Sequence, residues 1–146
     1  MMMTHQRLVW FFSILMLLLI FPSCLQKSSL TSPSSQTRDD TLSQARQNLK
    51  AGKYQKAIDL YQAEHEKHPQ DRTLVAEYAK SLSEIKASAD RAMDRENFGT
   101  AGRAYLLLVK NYPDVKAFAH LLSFDSAQLH SRLASCKTAL SRQGLQ

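Results

Sequence analysis

Apolar side chains recur at steps of three and four residues through the chain beyond residue 39, which is the spacing of one face of an α-helix. A first helix is predicted to begin near Asp39 and Asp40 and to end at Gly52, because glycine can adopt the left-handed conformation that reverses the chain. Further helices are predicted over residues 54–67, 72–95, 97–111 and 114–140. Ser123 to Ser126 would divide the last of these in two. The sequence therefore predicts an all-α domain over residues 39–142.

A second pattern returns after 44 residues. The first copy consists of Tyr54, Ala57, Tyr61 and Pro69, and the second of Phe98, Ala101, Tyr105 and Pro113. Four matches at one offset indicate two copies of a helical hairpin, and such hairpins bury their apolar faces by stacking on each other. We therefore expect antiparallel helical hairpins stacked as a short solenoid, with a C-terminal helix capping the open end.

The first hairpin resembles a tetratricopeptide repeat. The matching positions are Gly52, Tyr54, Ala57, Ile58, Tyr61 and Pro69, which have the spacing of the second half of that repeat. The first half matches at Ala45, whereas Thr41 stands where the family has a large aromatic residue. The offset of 44 also exceeds the family's usual 34. A single long helix over residues 72–95 would accommodate the difference, with an inward stripe of Leu74, Tyr78, Leu82, Ile85, Ala89, Ala92 and Met93.

The N-terminal residues 1–23 are predicted to be an export signal. Arg7 is their one fixed charge, and the stretch from Leu8 to Phe21 is apolar except for Ser13. That stretch is shorter than the roughly 20 residues that cross a bilayer, and its length is typical of the apolar region of a secretory signal.

The end of this segment resembles the lipobox of bacterial lipoproteins, because the small residue Ser23 directly precedes Cys24. The resemblance implies cleavage before Cys24 and lipidation of that cysteine. Phe21 stands where the family usually has leucine, and Pro22 is unusual there. Ordinary signal cleavage and an uncleaved anchor are the alternatives. Since Leu25 is not the aspartate of inner-membrane lipoproteins, the resemblance favours the outer membrane of a bacterial envelope, facing the periplasm.

Residues 24–38 are rich in Ser, Thr and Gln and have little apolar surface to offset the entropy of ordering. They are predicted to form a flexible tether between the lipid and the domain. Loss of residues 1–23 would leave 18 of the 19 basic and all 13 acidic side chains, a net charge of +5. These charges are interspersed, which argues against a nucleic-acid-binding stripe and leaves open a weak attraction to anionic polymers or headgroups.

Residues that could carry chemistry are few. Cys136, the only other cysteine, lies in an apolar helical register and is predicted to be a core residue without a disulfide partner. His65 and His68 could share an outer helix face, but no third metal ligand is close in sequence, so no metal site is predicted. His120 and His130 are expected to be solvated on one helix. With no glycine-rich phosphate loop and no GxSxG motif, neither an enzyme nor a cofactor is predicted.

The remaining candidate for a functional site is a charged surface formed by the first helix of each hairpin. In tetratricopeptide-repeat proteins the first helix of each hairpin lines a concave groove that holds peptide segments of other proteins. In this chain the resemblance places five charged residues there, namely Arg46, Lys50, Glu77, Lys80 and Glu84. Basic groups among them could bind a carboxylate or an acidic peptide by charge-assisted hydrogen bonds. The alternative is that they are ordinary solubilising charges.

Two functions are consistent with these features. The first is a lipid-anchored adaptor that binds a protein or peptide of an envelope assembly. The second is a self-associating structural lipoprotein, a homodimer formed by the long helix and the C-terminal apolar stripe. The members of that stripe, also expected to face inward and close the core, are Val115, Phe118, Leu122, Leu129, Leu133, Cys136 and Leu140. Neither function involves nucleic acid, and a catalyst of unidentified type is a third and weaker alternative.

Overall fold

The computed structural model describes residues 33–144, and within that range the chain is helical without a β-strand. The α-helices are α1 (Pro33–Lys50), α2 (Tyr54–Lys67), α3 (Arg72–Asp94), α4 (Phe98–Asn111) and α5 (Ser126–Gln143), and a 3-10 helix (Tyr112–Leu121) joins α4 to α5. The all-α prediction is confirmed for these residues, and the predicted limits of α2, α3 and α4 agree to within one residue. The predicted signal and Cys24 lie outside the described residues.

Helix α1 begins at Pro33, six residues before the predicted start at Asp39. Proline is compatible with a first helical turn because the N–H that it lacks would have no partner there. The added turns contribute Arg38, whose guanidinium donates to the Asp71 carboxylate at 2.5 Å. Residues 33–38 of the predicted tether are therefore helical, and the remainder of it lies outside the described residues.

The turns after α1 and α3 have the same geometry. Gly52 has a φ of +71° and Glu96 a φ of +57°, so both lie in the left-handed region. The next residue in each turn closes it by donating its N–H to a carbonyl five positions earlier, Lys53 to Asn48 and Asn97 to Ala92, both at 2.9 Å. This six-to-one bond with a left-handed residue is the Schellman arrangement. The left-handed Gly52 was predicted, whereas the left-handed glutamate was not.

Helix α3 supplies the largest share of the core. Its predicted stripe is buried at Leu74, Tyr78, Leu82, Ile85 and Ala89, with Ala92 and Met93 partly buried. Asp71 caps its N-terminus by accepting from the N–H groups of Thr73 and Leu74. Each helix packs on the next along the chain, and the 3-10 helix packs on both α3 and α4. None of the helices between residues 33 and 144 is long and apolar enough to cross a membrane.

The C-terminal region departs from the prediction in three ways. The chain after α4 is a 3-10 helix, because Pro113 has no N–H with which to continue the α-helical bonding. The predicted break separates it from α5, so His120 and His130 do not share a helix. Leu140, predicted to face inward, is 43% exposed.

The exposure of Leu140 follows from the length of its neighbour. Cys136 is fully buried, as predicted, and its Cβ lies 3.5 Å from where a side chain on Gly102 would begin, so α4 and α5 pack closely there. Helix α4 starts at Phe98, one turn before Gly102. The turn of α5 that follows Cys136 therefore extends to the end of α4, and Leu140 is left without cover.

Candidate functional site

All five predicted partner-binding residues line one cavity of about 330 Å³, which we call the α1–α3 groove. Its lining consists of Arg46, Leu49 and Lys50 from α1, Tyr61 from α2, and Glu77, Lys80, Ser81 and Glu84 from α3. The helical spacing of the five charged residues placed them on α1 and α3, and the structure brings them together. Leu49, Tyr61 and Ser81 were not predicted as lining, since apolar spacing marks the first two as core.

The base of the groove is a network of three side chains from three helices. The Arg46 guanidinium donates from Nε and Nη2 to the two carboxylate oxygens of Glu77, both at 2.7 Å. The Tyr61 hydroxyl donates to Glu77 Oε1 at 2.8 Å. A two-pronged arginine–carboxylate contact fixes the orientation as well as the distance of its partners. This network therefore fixes α1, α2 and α3 relative to each other beneath the groove.

The network also shifts the protonation equilibria of its members. The hydrogen bond from Arg46 lowers the pKa of Glu77, outweighing the effect of partial burial, and Tyr61 and the nearby positive charge of Lys80 act in the same direction. Burial raises the pKa of Tyr61 well above its ordinary value, and its bond to Glu77 adds to that effect. Glu77 is therefore a carboxylate and Tyr61 a neutral hydroxyl over the physiological pH range.

The rim of the groove carries charged side chains that are not engaged in hydrogen bonds or salt bridges with other described side chains. Lys50, Lys80 and Glu84 are exposed, and none of them makes a hydrogen bond or a salt bridge to another side chain within residues 36–144. Two cations and one anion thus surround a cavity whose remaining pair, Arg46 and Glu77, is mutually neutralised. The groove presents a small excess of positive charge next to the half-buried Leu49.

The lining of the groove combines charged groups, one apolar side chain and a buried scaffold. Its one hydroxyl besides that of Tyr61 belongs to Ser81, which is buried and donates to the Tyr78 carbonyl at 2.7 Å. Charged groups beside an apolar contact can form charge-assisted hydrogen bonds with a polar ligand.

Forty-four residues after Tyr61, the buried Tyr105 makes a related contact. Its hydroxyl donates to Asp90 Oδ1 at 2.5 Å, and Lys86 donates to Asp90 Oδ2 at 2.8 Å. Burial alone would raise the pKa of Asp90, but the hydrogen bonds from Lys86 and Tyr105 outweigh it and lower the pKa. Here α5 packs on α4 and brings the positive charge of Arg132 near the pair.

The predicted histidine pair is arranged differently from expectation. His65 is half-buried, with its ring edge against Phe118 at a centroid distance of 5.4 Å, whereas His68 is exposed. Burial arises because the 3-10 helix covers this end of α2, a contact that helical spacing alone does not indicate. Over residues 33–144 no three His, Cys, Asp or Glu side chains are grouped to hold a metal ion.

Comparisons of the chain with protein families, with curated proteins and with solved structures found no match.

Proposed function

We propose that this protein is a lipid-anchored, tetratricopeptide-like adaptor whose α1–α3 groove binds a peptide segment of another bacterial envelope protein. The observation that carries the proposal is the convergence of Arg46, Lys50, Glu77, Lys80 and Glu84 on one cavity. Three of these charged groups have no partner among the described side chains. Charged groups held beside an apolar contact on a rigid base favour binding over mere solubility.

The hairpin arrangement rests on two internal similarities. The turns at Gly52 and Glu96 have the same left-handed residue and the same closing hydrogen bond, 44 residues apart. Tyr61 and Tyr105, also 44 residues apart, are both fully buried. These features support α1–α2 and α3–α4 as two copies of one unit, with α5 as the cap, and such stacks form grooves along the first helices of their units.

A bound peptide would use the rim in a defined way. An acidic side chain or a C-terminal carboxylate would accept charge-assisted hydrogen bonds from Lys50 and Lys80, and Glu84 would accept from a backbone N–H or a basic side chain. Arg46 would contribute indirectly, since its guanidinium is held by Glu77. We therefore assign recognition to the rim and positioning to the base.

The groove can be tested by crosslinking in cells. A photoreactive phenylalanine analogue replaces Leu49, the apolar residue of the lining, in one variant and Lys56, which is exposed on α2 outside the groove, in a matched control. The proposal expects a discrete adduct from position 49 that is absent from position 56. Equal adducts from both positions would contradict it.

Charge reversal provides an independent check on the same adduct. The double variant Lys50→Glu, Lys80→Glu removes both rim cations, whereas Lys56→Glu, Lys137→Glu makes the same change in net charge at exposed positions away from the groove. We expect the crosslink from position 49 to be lost in the first variant and kept in the second. Retention in both would leave the groove without a role in recognition.

The anchor requires its own measurement, because Cys24 lies outside the described residues. Metabolic labelling with a palmitate analogue should mark the native chain and not the Cys24→Ala variant. Labelling of both, or of neither, would contradict lipidation at this cysteine, whatever the groove binds.

A self-associating structural lipoprotein is the second candidate, and exposed leucines favour it. Leu106 on α4 is 54% exposed and Leu140 on α5 is 43% exposed, so both helices present apolar groups that a second copy could cover. Sedimentation at high concentration distinguishes the candidates, because a strict monomer excludes the homodimer.

A further inference from the structure

A second cavity lies at the C-terminal end of α2, and we call it the His65 cavity. It has a volume of about 580 Å³ and shares no residue with the α1–α3 groove. It is lined by His65 of α2, Pro69 and Gln70 of the following turn, Arg72, Val75 and Ala76 of α3, and Ala117, Phe118, His120 and Leu121 of the 3-10 helix. Its volume falls within the range of about 300–1,000 Å³ that is typical of small-molecule sites.

The lining of this cavity combines apolar and basic side chains. Val75, Phe118 and Leu121 provide aliphatic and aromatic surface, and Leu121 is 46% exposed at the edge. The ionisable side chains in the lining are His65, Arg72 and His120, and none of the lining residues is acidic. A ligand that matches this surface has an apolar body and one negative charge.

The basic groups have hydrogen-bonding capacity to spare. Neither ring nitrogen of His65 makes a hydrogen bond to the described residues. Nδ1 is closed off from solvent inside the protein, whereas Nε2 is not among the buried unpaired atoms, so Nε2 is the ring nitrogen that a ligand in the cavity could reach. Its hydrogen-bonding capacity is not used by the described residues, which leaves it available to a partner from outside the chain. The His65 ring packs edge-on against Phe118 at a centroid distance of 5.4 Å, and no hydrogen bond to the described residues fixes its orientation.

The same aromatic cluster contains a second unpaired group. Tyr78 is 1% exposed, its hydroxyl has no hydrogen-bond partner, and its ring lies 5.5 Å from that of Phe118, behind the cavity wall. Arg72 has no salt bridge to the described residues, whereas the adjacent Asp71 is engaged with Arg38 and with the N-terminus of α3. The carboxylate that directly precedes Arg72 in the chain is therefore already engaged, and the Arg72 guanidinium is not in a salt bridge with the described residues.

We propose that the His65 cavity binds a small carboxylic acid with an aromatic or branched apolar body. The apolar part lies on Val75 and Phe118, and the carboxylate accepts from Arg72 and from a ring nitrogen of His65 or His120. Arginine suits this role because its planar fork matches the geometry of a carboxylate. The inference is independent of the peptide-binding groove, since the two cavities have no residue in common.

Calorimetric titration of the full chain with 4-phenylbutyrate tests the site, with neutral 4-phenylbutyramide and with butyrate as matched ligands. We expect the acid to bind about 10-fold more tightly than either, since a charge-assisted hydrogen bond accounts for one factor and burial of the ring for the other. Equal affinity of acid and amide would overturn the assignment of the charge. The absence of any measurable binding of 4-phenylbutyrate would overturn the site.

Variants locate the binding. Arg72→Gln should weaken 4-phenylbutyrate about 10-fold, whereas Arg91→Gln, an exposed position on the same helix outside the cavity, should leave it unchanged. His65→Phe keeps the aromatic contact with Phe118 and removes both ring nitrogens, and it should weaken the acid more than the amide while the circular dichroism stays native. Ala76→Met, at an exposed helical position, should fill the cavity and abolish binding. Unchanged affinity in Arg72→Gln and Ala76→Met would place the ligand elsewhere and overturn the proposal.

Discussion

The two buried tyrosines that stand 44 residues apart are alike in their rings and different in their surroundings. Tyr61 and Tyr105 are essentially inaccessible to solvent, and each hydroxyl donates to a carboxylate of α3, Glu77 in one case and Asp90 in the other. Their sequence positions are equivalent, so equal burial was foreseeable. The groups around the carboxylates are not equivalent, and they decide what each half of the molecule can do.

The two carboxylates differ in the basic residue that pairs with them. Glu77 pairs with Arg46, which comes from α1, whereas Asp90 pairs with Lys86, four residues earlier on α3 itself. The first network joins three helices and leaves an open groove above it. The second joins α3 and α4 and lies on the side where α5 packs on α4. Two similar tyrosine–carboxylate contacts therefore lie beneath an open groove in one half, where we propose binding, and beside packed helices in the other.

Removal of either ring should have the largest effect. Tyr61→Ala and Tyr105→Ala each leave a cavity in the core, and each should lower the free energy of unfolding by about 3–5 kcal/mol. Urea denaturation followed by circular dichroism measures both. The half-buried Tyr112→Ala is the control and should cost less. If one of the two core variants lost as little stability as the control, Tyr61 and Tyr105 would not contribute equally to the core.

Replacing each carboxylate with an amide should lower the free energy of unfolding by different amounts in the two halves. Glu77→Gln breaks a contact between different helices and weakens the bond from Tyr61. Because the Arg46 side chain is 51% exposed and water can solvate its guanidinium, a loss of about 1–2 kcal/mol is expected. Asp90→Asn disrupts a pair within one helix, where such pairs contribute only about 0.3–0.5 kcal/mol, and also weakens the bond from Tyr105, for a loss of about 1 kcal/mol.

The same denaturation experiment, combined with Arg46→Gln, checks the origin of the larger loss. In the background of Arg46→Gln, the additional cost of Glu77→Gln should fall, because the pair is already broken. Additive losses would mean that the two side chains stabilise the fold independently of each other.

The two turns should respond to substitution in opposite directions. Gly52→Ala places a side chain at a φ of +71°, where it costs about 1 kcal/mol, although nothing lies within 4 Å of the new Cβ. Glu96→Gly relieves the same strain at a φ of +57°, and after the added entropy of the unfolded chain it should stabilise the protein by about 0.5 kcal/mol. Thermal melts of the two variants give both signs, and destabilisation by Glu96→Gly would indicate that the Glu96 side chain contributes a stabilising contact.

What could be predicted from the sequence were features that repeat at helical spacing. The limits of α2, α3 and α4, the buried stripe of α3 and the burial of Cys136 follow from that spacing. The five charged residues of the groove were instead assigned from the resemblance to a tetratricopeptide repeat, and the structure brings them together at one cavity.

What could not be predicted depends on contacts between distant segments. Arg46 was expected to be a free binding group, but its distance from Glu77 depends on how α1 lies on α3. His65 is covered by Phe118, 53 positions later, and Leu140 is uncovered because α4 begins only one turn before Gly102. The left-handed Glu96 has no glycine to mark it, so only the equivalent position of Gly52 indicates the turn.

Lowering the pH should have the smallest effect on stability, and that effect should again depend on Glu77 more than on Asp90. The pKa of Glu77 is lowered in the folded protein from an unfolded value of about 4.5, chiefly by the bond from Arg46, so the unfolded chain takes up a proton first as the pH falls. The stabilisation is complete above that value and is lost as the pH falls through the folded pKa. Urea midpoints measured from pH 7 downward should decline below pH of about 4.5 less steeply in Glu77→Gln than in the native chain. The opposite outcome would be a decline that Asp90→Asn removes and Glu77→Gln leaves unaffected. The acid-sensitive contact would then be Lys86–Asp90, and the Arg46–Glu77 salt bridge would not be an acid-sensitive link between α1 and α3.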